Sequence, residues 1–149
     1  MLKTKILAID DTVVFTGILK SLLEKEYDVK IANSGEEALE IIEDFNPNII
    51  LLDVMMPGLN GYEVCKKIKS QKKFEHIKIL FLSGMTEPEE RIKGYDVGGD
   101  DYITKPFIQK ELMAKIKVYS QFVTQNELNT TKSNMIEMMS YLNEDDEDE

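Results

Sequence analysis

Four consecutive aliphatic residues, Ile49-Ile50-Leu51-Leu52, run without a polar interruption and stop on Asp53. An extended segment that is apolar at every position has no face to show to water, so it must be a strand covered on both sides. That is the situation of a parallel sheet sandwiched between helices. Similar runs occur at Ile6-Leu7-Ala8-Ile9, Val29-Lys30-Ile31-Ala32 and Ile79-Leu80-Phe81-Leu82, with a shorter piece at Tyr102-Ile103. The wholly aliphatic third run is expected at the centre of the sheet.

Between these runs the apolar spacing changes to that of helices. Ala38, Ile41, Ile42 and Phe45 fall at i, i+3, i+4 and i+7, preceded by Ser34 and Glu37 as a capping box. Val14, Ile18 and Leu22 mark a first helix, Val64 and Ile68 a third, and Ile108, Leu112, Ile116 and Tyr119 a fifth. A fourth is signalled by Thr86 and Glu89 as another capping box, Pro88 in the first turn and Gly98 as a stop. The pattern reads βαβαβαβαβα, an α/β domain over residues 1–120. Beyond it, residues 121–143 read as a helical extension or linker, with Met135, Met138, Met139 and Leu142 at helical spacing. Residues 144–149 are all acidic and read as a disordered tail.

Acidic residues outnumber basic ones by 28 to 18, which disfavours a surface built to grip nucleic-acid phosphates. The sole cysteine, Cys65, excludes an internal disulfide. The apolar stretch near the N-terminus is too short for a signal-peptide core or a membrane span, so a cytoplasmic location is expected. His76, the only histidine, stands in a charged loop and reads as a surface residue.

In an open α/β sheet, ligands bind beyond the carboxyl ends of the strands, where strand order reverses. Those ends carry Asp10 and Asp11 after the first strand, Asp53 after the third, Ser83 after the fourth and Lys105 after the fifth. Three carboxylates at one place repel each other unless a cation neutralises them. Magnesium, which favours oxygen ligands and keeps several waters, suits such a set, and Lys105 adds a second positive charge. A carboxylate flanked by a metal, an ammonium and a hydroxyl is arranged to accept a phosphoryl group, with Asp53 as nucleophile and Lys105 and Ser83 on the phosphoryl oxygens. Each residue also has a plainer reading alone: Asp11 as a helix cap, Asp53 as the start of a turn, Ser83 as a loop cap, Lys105 as a surface charge. Their joint placement at successive strand ends favours the site.

Residues 4 to about 120 resemble the receiver domains of bacterial two-component response regulators. The resemblance rests on Ile9-Asp10-Asp11, on the stretch from Leu51 through Asp53 to Gly61, on Leu82-Ser83-Gly84, and on the stretch from Gly98 to Phe107. It implies a flavodoxin-like (βα)5 doubly wound parallel sheet of order 2-1-3-4-5, a single domain. It further implies that Asp53 takes phosphate from a histidine kinase or phosphotransfer protein. Magnesium would be held by Asp11, Asp53 and the Met55 carbonyl, with Asp10 acting largely through water. Ser83 would shift toward the phosphoryl group, Tyr102 would turn inward, and Lys105-Pro106 would be cis. The output face would be the fourth helix, fifth strand and fifth helix, serving a downstream protein effector or a phosphorylation-dependent homodimer. Gly99 stands where the family commonly has alanine, which suggests a looser turn before the fifth strand.

The expected protein is a signalling switch that assists its own phosphorylation and dephosphorylation, not a turnover enzyme. It would act alone in the manner of chemotaxis regulators or as the N-terminal part of a longer protein. An aspartyl phosphatase would need an acid two residues after Asp53, where Met55 stands. A flavodoxin-type electron carrier would need a phosphate-cradling loop where Asp10-Asp11-Thr12 stands. A non-phosphorylated interaction module would not need the complete acidic set.

Overall fold

The computed structural model describes residues 3–85, 87–122 and 139. Five strands, β1 (Lys5–Ile9), β2 (Asp28–Ala32), β3 (Ile49–Asp53), β4 (Lys78–Ser83) and β5 (Asp101–Thr104), form one parallel sheet in the order β2-β1-β3-β4-β5. The helices are α1 (Val13–Leu23), α2 (Gly35–Phe45), α3 (Gly61–Lys69), α4 (Pro88–Asp96) and α5 (109–122), with a 3-10 turn at Lys72–Phe74. This is the expected flavodoxin-like α/β fold, with β3 central and buried at all five positions. The proposed extension and acidic tail lie outside the described residues, except for residues 121–122 and an exposed Met139.

Alternate strand residues feed two cores. Leu7, Ile9, Ile50, Leu52, Ile79, Phe81 and Tyr102 face one side, where Ala38, Ile42 and Phe45 of α2 and Val64, Cys65 and Ile68 of α3 cover them. Ile6, Ala8, Ile49, Leu51, Leu80, Leu82 and Ile103 face the other, under Leu19 and Leu23 of α1 and Leu112 and Ile116 of α5. A period of two along the strands thus explains why the inner runs of β1, β3 and β4 show no polar face, while the edge strand β2 exposes Lys30.

The expected stripe of α1 is corrected by one position. The helix buries Thr16, Leu19 and Leu23, while Val14 is 72% and Ile18 48% exposed. Because Val13, Val14, Phe15, Ile18, Leu19, Leu22 and Leu23 are nearly apolar all round, helical spacing alone cannot choose the buried face; packing against β1 and β2 does. Similarly, Ile108 precedes α5 and is exposed, leaving Leu112 and Ile116 as its buried stripe.

Helix starts also differ in detail. Ser34 Oγ accepts the Glu37 N–H at 3.0 Å, but the Glu37 carboxylate reaches the Asn33 N–H rather than that of Ser34. The complete capping box belongs to α3, where Asn60 and Glu63 each accept the other's backbone N–H. In α4 the N-cap is Glu87, with no side-chain cap bond, and Pro88 occupies the first turn; Thr86 lies outside the described residues. Gly98, with φ +103, follows the end of α4 in a conformation suited to glycine, as the stop signal suggested.

Candidate functional site

Strand register sets the site. Ile9 of β1 pairs with Leu52 of β3, Asp53 with Leu82 of β4, and Ser83 with Thr104 of β5. The residues that end or follow these pairs therefore come level along the carboxyl edge: Asp10 and Asp11 after β1, Asp53 at the end of β3, Ser83 at the end of β4 and Lys105 after β5. The crevice between β1 and β3 is the reversal point of the strand order, where such sheets bind ligands.

Asp10 is fully buried. One carboxylate oxygen accepts the Thr12 N–H at 2.9 Å and the other receives Lys105 Nζ at 2.5 Å. Lys105 also donates to Asp53 Oδ1 at 3.3 Å, so one ammonium bridges two carboxylates. Beneath it lies the Phe15 ring, 4.5 Å from Nζ to the centroid, in cation–π contact, with Phe107 packed edge-on to Phe15 at 5.6 Å. The backbone carbonyl of Asp10 accepts from Asn33 Nδ2 at 2.9 Å, and the same amide donates to Thr16 Oγ1 at 3.0 Å. Asp11 is exposed and is not the cap of α1; the N-cap is Thr12.

Asp10, Asp11 and Asp53 each offer an oxygen within 4.8 Å of the others. Three carboxylates against one ammonium leave an excess of two negative charges, which matches a hard divalent cation with oxygen ligands. The residues present therefore fit magnesium. Burial pushes the Asp53 carboxyl up to about 6, reinforced by the neighbouring Asp10 charge and opposed by Lys105 and a hydrogen bond from the Met55 backbone. Burial alone would lower Lys105, but Asp10 and Asp53 more than offset it and raise its pKa.

Ser83 is buried, and its Oγ accepts the Met85 N–H at 3.0 Å, which leaves the hydroxyl proton to be donated. The Lys105-Pro106 bond is cis, as expected, and the Lys105 N–H donates to the Ser83 carbonyl at 2.9 Å. Gly61 has a packing reason: a Cβ there would sit 2.3 Å from the Asp53 carbonyl oxygen. His76 is exposed, and Cys65 is buried in the core with its thiol donating to the Val97 carbonyl, so neither belongs to the site.

Tyr102 stands apart from the charges. It is buried, its hydroxyl lies 2.7 Å from that of Tyr62, and it donates to the Glu90 carbonyl at 2.7 Å. Its ring packs on Phe81 at 5.2 Å. Close packing accounts for two glycines here: a Cβ at Gly99 would come within 2.2 Å of the Phe81 ring, and one at Gly94 within 2.6 Å of the Tyr102 hydroxyl. Phe15, Asn33, Tyr62 and Glu90 were not singled out by sequence. The offset of four from Asp11 to Phe15 is the one periodic signal among them, since it places the ring one turn into α1 below the acidic edge.

An acidic crevice at a strand-order reversal, with a bridging lysine, defines a phosphoryl-accepting class of α/β protein. The family model for the response regulator receiver domain matches residues 6–117, and the chain belongs to that family. It is 40% identical over 133 residues to the probable transcriptional regulator ycf27 of Cyanophora paradoxa, covering 89% of this chain and 54% of the relative. The chain thus spans about half the length of the curated relatives it matches. Among solved structures, it is similar to chemotaxis protein CheY4 of Vibrio cholerae. The identity is 30% and the TM-score 0.76, covering 78% of this chain and 98% of that one. It is also similar to response regulator DrrB, an OmpR/PhoB homologue of Thermotoga maritima, with 32% identity and a TM-score of 0.73. That match covers 81% of this chain and 54% of DrrB. A receiver domain is the phosphoryl-accepting switch of two-component signalling. Among the described residues no helix is long and apolar enough to cross a membrane.

Proposed function

We propose that Asp53 is the phosphoryl acceptor of this receiver domain, taking the group from a phosphohistidine on a sensor histidine kinase or phosphotransfer protein. The observation that carries this reading is the bridge from Lys105 to Asp10 and Asp53 beside a three-carboxylate cluster. With a pKa near 6, Asp53 is largely ionised at neutral pH and available as a nucleophile. One of its oxygens bonds to phosphorus as the phosphorus–nitrogen bond of the donor breaks, and the bonding pair leaves with the imidazole. Lys105, steered by Asp10 and Phe15, stands ready to follow the new negative charge, and the Ser83 hydroxyl donates to a phosphoryl oxygen. Asp10, Asp11, Asp53 and the Met55 carbonyl would hold magnesium, which supplies charge neutralisation for the incoming group.

The same residues make the chain a switch that assists its own phosphorylation and hydrolysis rather than an enzyme on an external substrate. Ser83 and Tyr102 are the proposed switch residues, and α4, β5 and α5 the output face toward a downstream protein effector or a second copy. Cytoplasmic residence is proposed, without membrane or direct nucleic-acid contact by this chain. Relatives named as transcriptional regulators favour a receiver that works within a longer protein over a stand-alone regulator. A small phosphodonor with magnesium should modify the wild type and leave Asp53→Asn unmodified; equal incorporation by both would move the acceptor elsewhere.

A further inference from the structure

Tyr62, on the first turn of α3, places its hydroxyl 2.7 Å from the Tyr102 hydroxyl, 3.0 Å from the Glu90 carbonyl and 3.1 Å from Glu90 Oε2. The Tyr102 hydroxyl in turn donates to the same Glu90 carbonyl at 2.7 Å. Two phenols from α3 and β5 therefore converge on one residue of α4. The rings are fixed as well as the hydroxyls: Tyr62 meets Phe81 edge-on at 5.3 Å, Phe81 packs on Tyr102, and Tyr95 meets Tyr102 edge-on at 6.0 Å. Gly94 and Gly99 leave the room these rings fill, since a side chain at either would collide with Tyr102 or Phe81.

We propose that Tyr62 is a positioning residue that latches Tyr102 in its buried place, so that the inward tyrosine is the resting state of this chain before any phosphoryl group arrives. The proposal rests on Tyr102 being a switch residue. The physical basis is a count of partners. A Tyr102 ring that leaves its place surrenders both hydroxyl bonds, and Tyr62 surrenders one of its own, whereas a phenylalanine at position 62 leaves Tyr102 with the Glu90 carbonyl alone. Two other features tie the latch to α4 rather than to the acidic edge. Glu90 is the only acceptor shared by both phenols among the described residues. Gly94 is the only buried residue of α4, so the helix has little else to hold it on the sheet.

The test is ¹⁹F NMR of the full chain carrying 3-fluorotyrosine, with the Tyr102 signal assigned by Tyr102→Phe. The expected wild-type signal reports a buried ring in the absence of phosphodonor and moves little on adding beryllium fluoride and magnesium. Tyr62→Phe should enlarge the outward population about fivefold, as loss of one hydroxyl bond implies, and beryllium fluoride should restore the buried signal. Glu90→Gln, which keeps the backbone carbonyl, should shift the Tyr62 signal and leave Tyr102 buried. A Tyr102 signal in Tyr62→Phe that matches the wild type without phosphodonor would overturn the latch, as would an outward Tyr102 in the resting wild type. Failure of Asp53 to bind beryllium fluoride would count against the acceptor assignment instead, because the resting-state comparison needs no phosphodonor.

Discussion

The acidic crevice and the tyrosine layer lie near the same end of the sheet, yet they are held by opposite means. In the crevice, like charges are crowded together and one lysine offsets only part of them, so the arrangement improves when a cation binds. In the tyrosine layer the Tyr62 and Tyr102 hydroxyls bond to each other and to Glu90, and space is made by missing side chains at Gly94 and Gly99. The first region is poised to change on ligation, the second to hold a geometry.

The largest expected effect comes from the backbone that supports the crevice. Gly61→Ala drives a Cβ against the Asp53 carbonyl and the Val54 backbone, neither of which can yield, and should destabilise the domain by about 3 kcal/mol or more in urea titrations. Gly94→Ala meets instead side-chain atoms, the hydroxyl end of Tyr102 and the edge of Phe81, rather than backbone, and should cost less. Equal losses for the two variants would break the contrast. Next in size, magnesium at about a hundred times its Kd should raise the stability of wild type and of Tyr62→Phe alike by about 2.7 kcal/mol, and do little for Asp53→Asn.

The pH dependence separates the regions by sign. The Asp53 pKa is raised from 3.8 to about 6 in the folded chain, so the fold binds the proton more tightly than the unfolded chain does. The resulting stabilisation is complete below about pH 4 and is lost as pH rises through about 6. Without divalent cations, Asp53→Asn should therefore be more stable than wild type at pH 7 by about 1 to 2 kcal/mol, allowing for partial solvent screening, and the gain should vanish near pH 4. Tyr62→Phe should have the opposite sign, losing about 1 kcal/mol at either pH. Parallel pH profiles for the two variants would erase the distinction.

The crevice was legible in sequence and the tyrosine layer was not, for a physical reason. Asp10, Asp53, Ser83 and Lys105 are placed by strand ends, and strand ends follow from apolar runs that any covered parallel sheet must show. Tyr62 and Glu90 meet Tyr102 only because α3 and α4 pack at particular positions on the sheet, and α4 has almost no apolar stripe to announce its orientation. The misplaced stripe of α1 has the same origin: a helix apolar nearly all round carries no record of which side it buries. Gly99 shows the limit most clearly, since the tightest contact a side chain there would meet is the Phe81 ring on the neighbouring strand, which no local pattern announces.

The central claim is that Asp53 is the acceptor. Its most direct test is to treat the chain with a small phosphodonor and magnesium, trap the acyl phosphate by borohydride reduction and map the modified residue by mass spectrometry. The account predicts modification at Asp53 alone, abolished by chelation of magnesium and by Asp53→Asn. Label at any other residue, or undiminished label in Asp53→Asn, would contradict it.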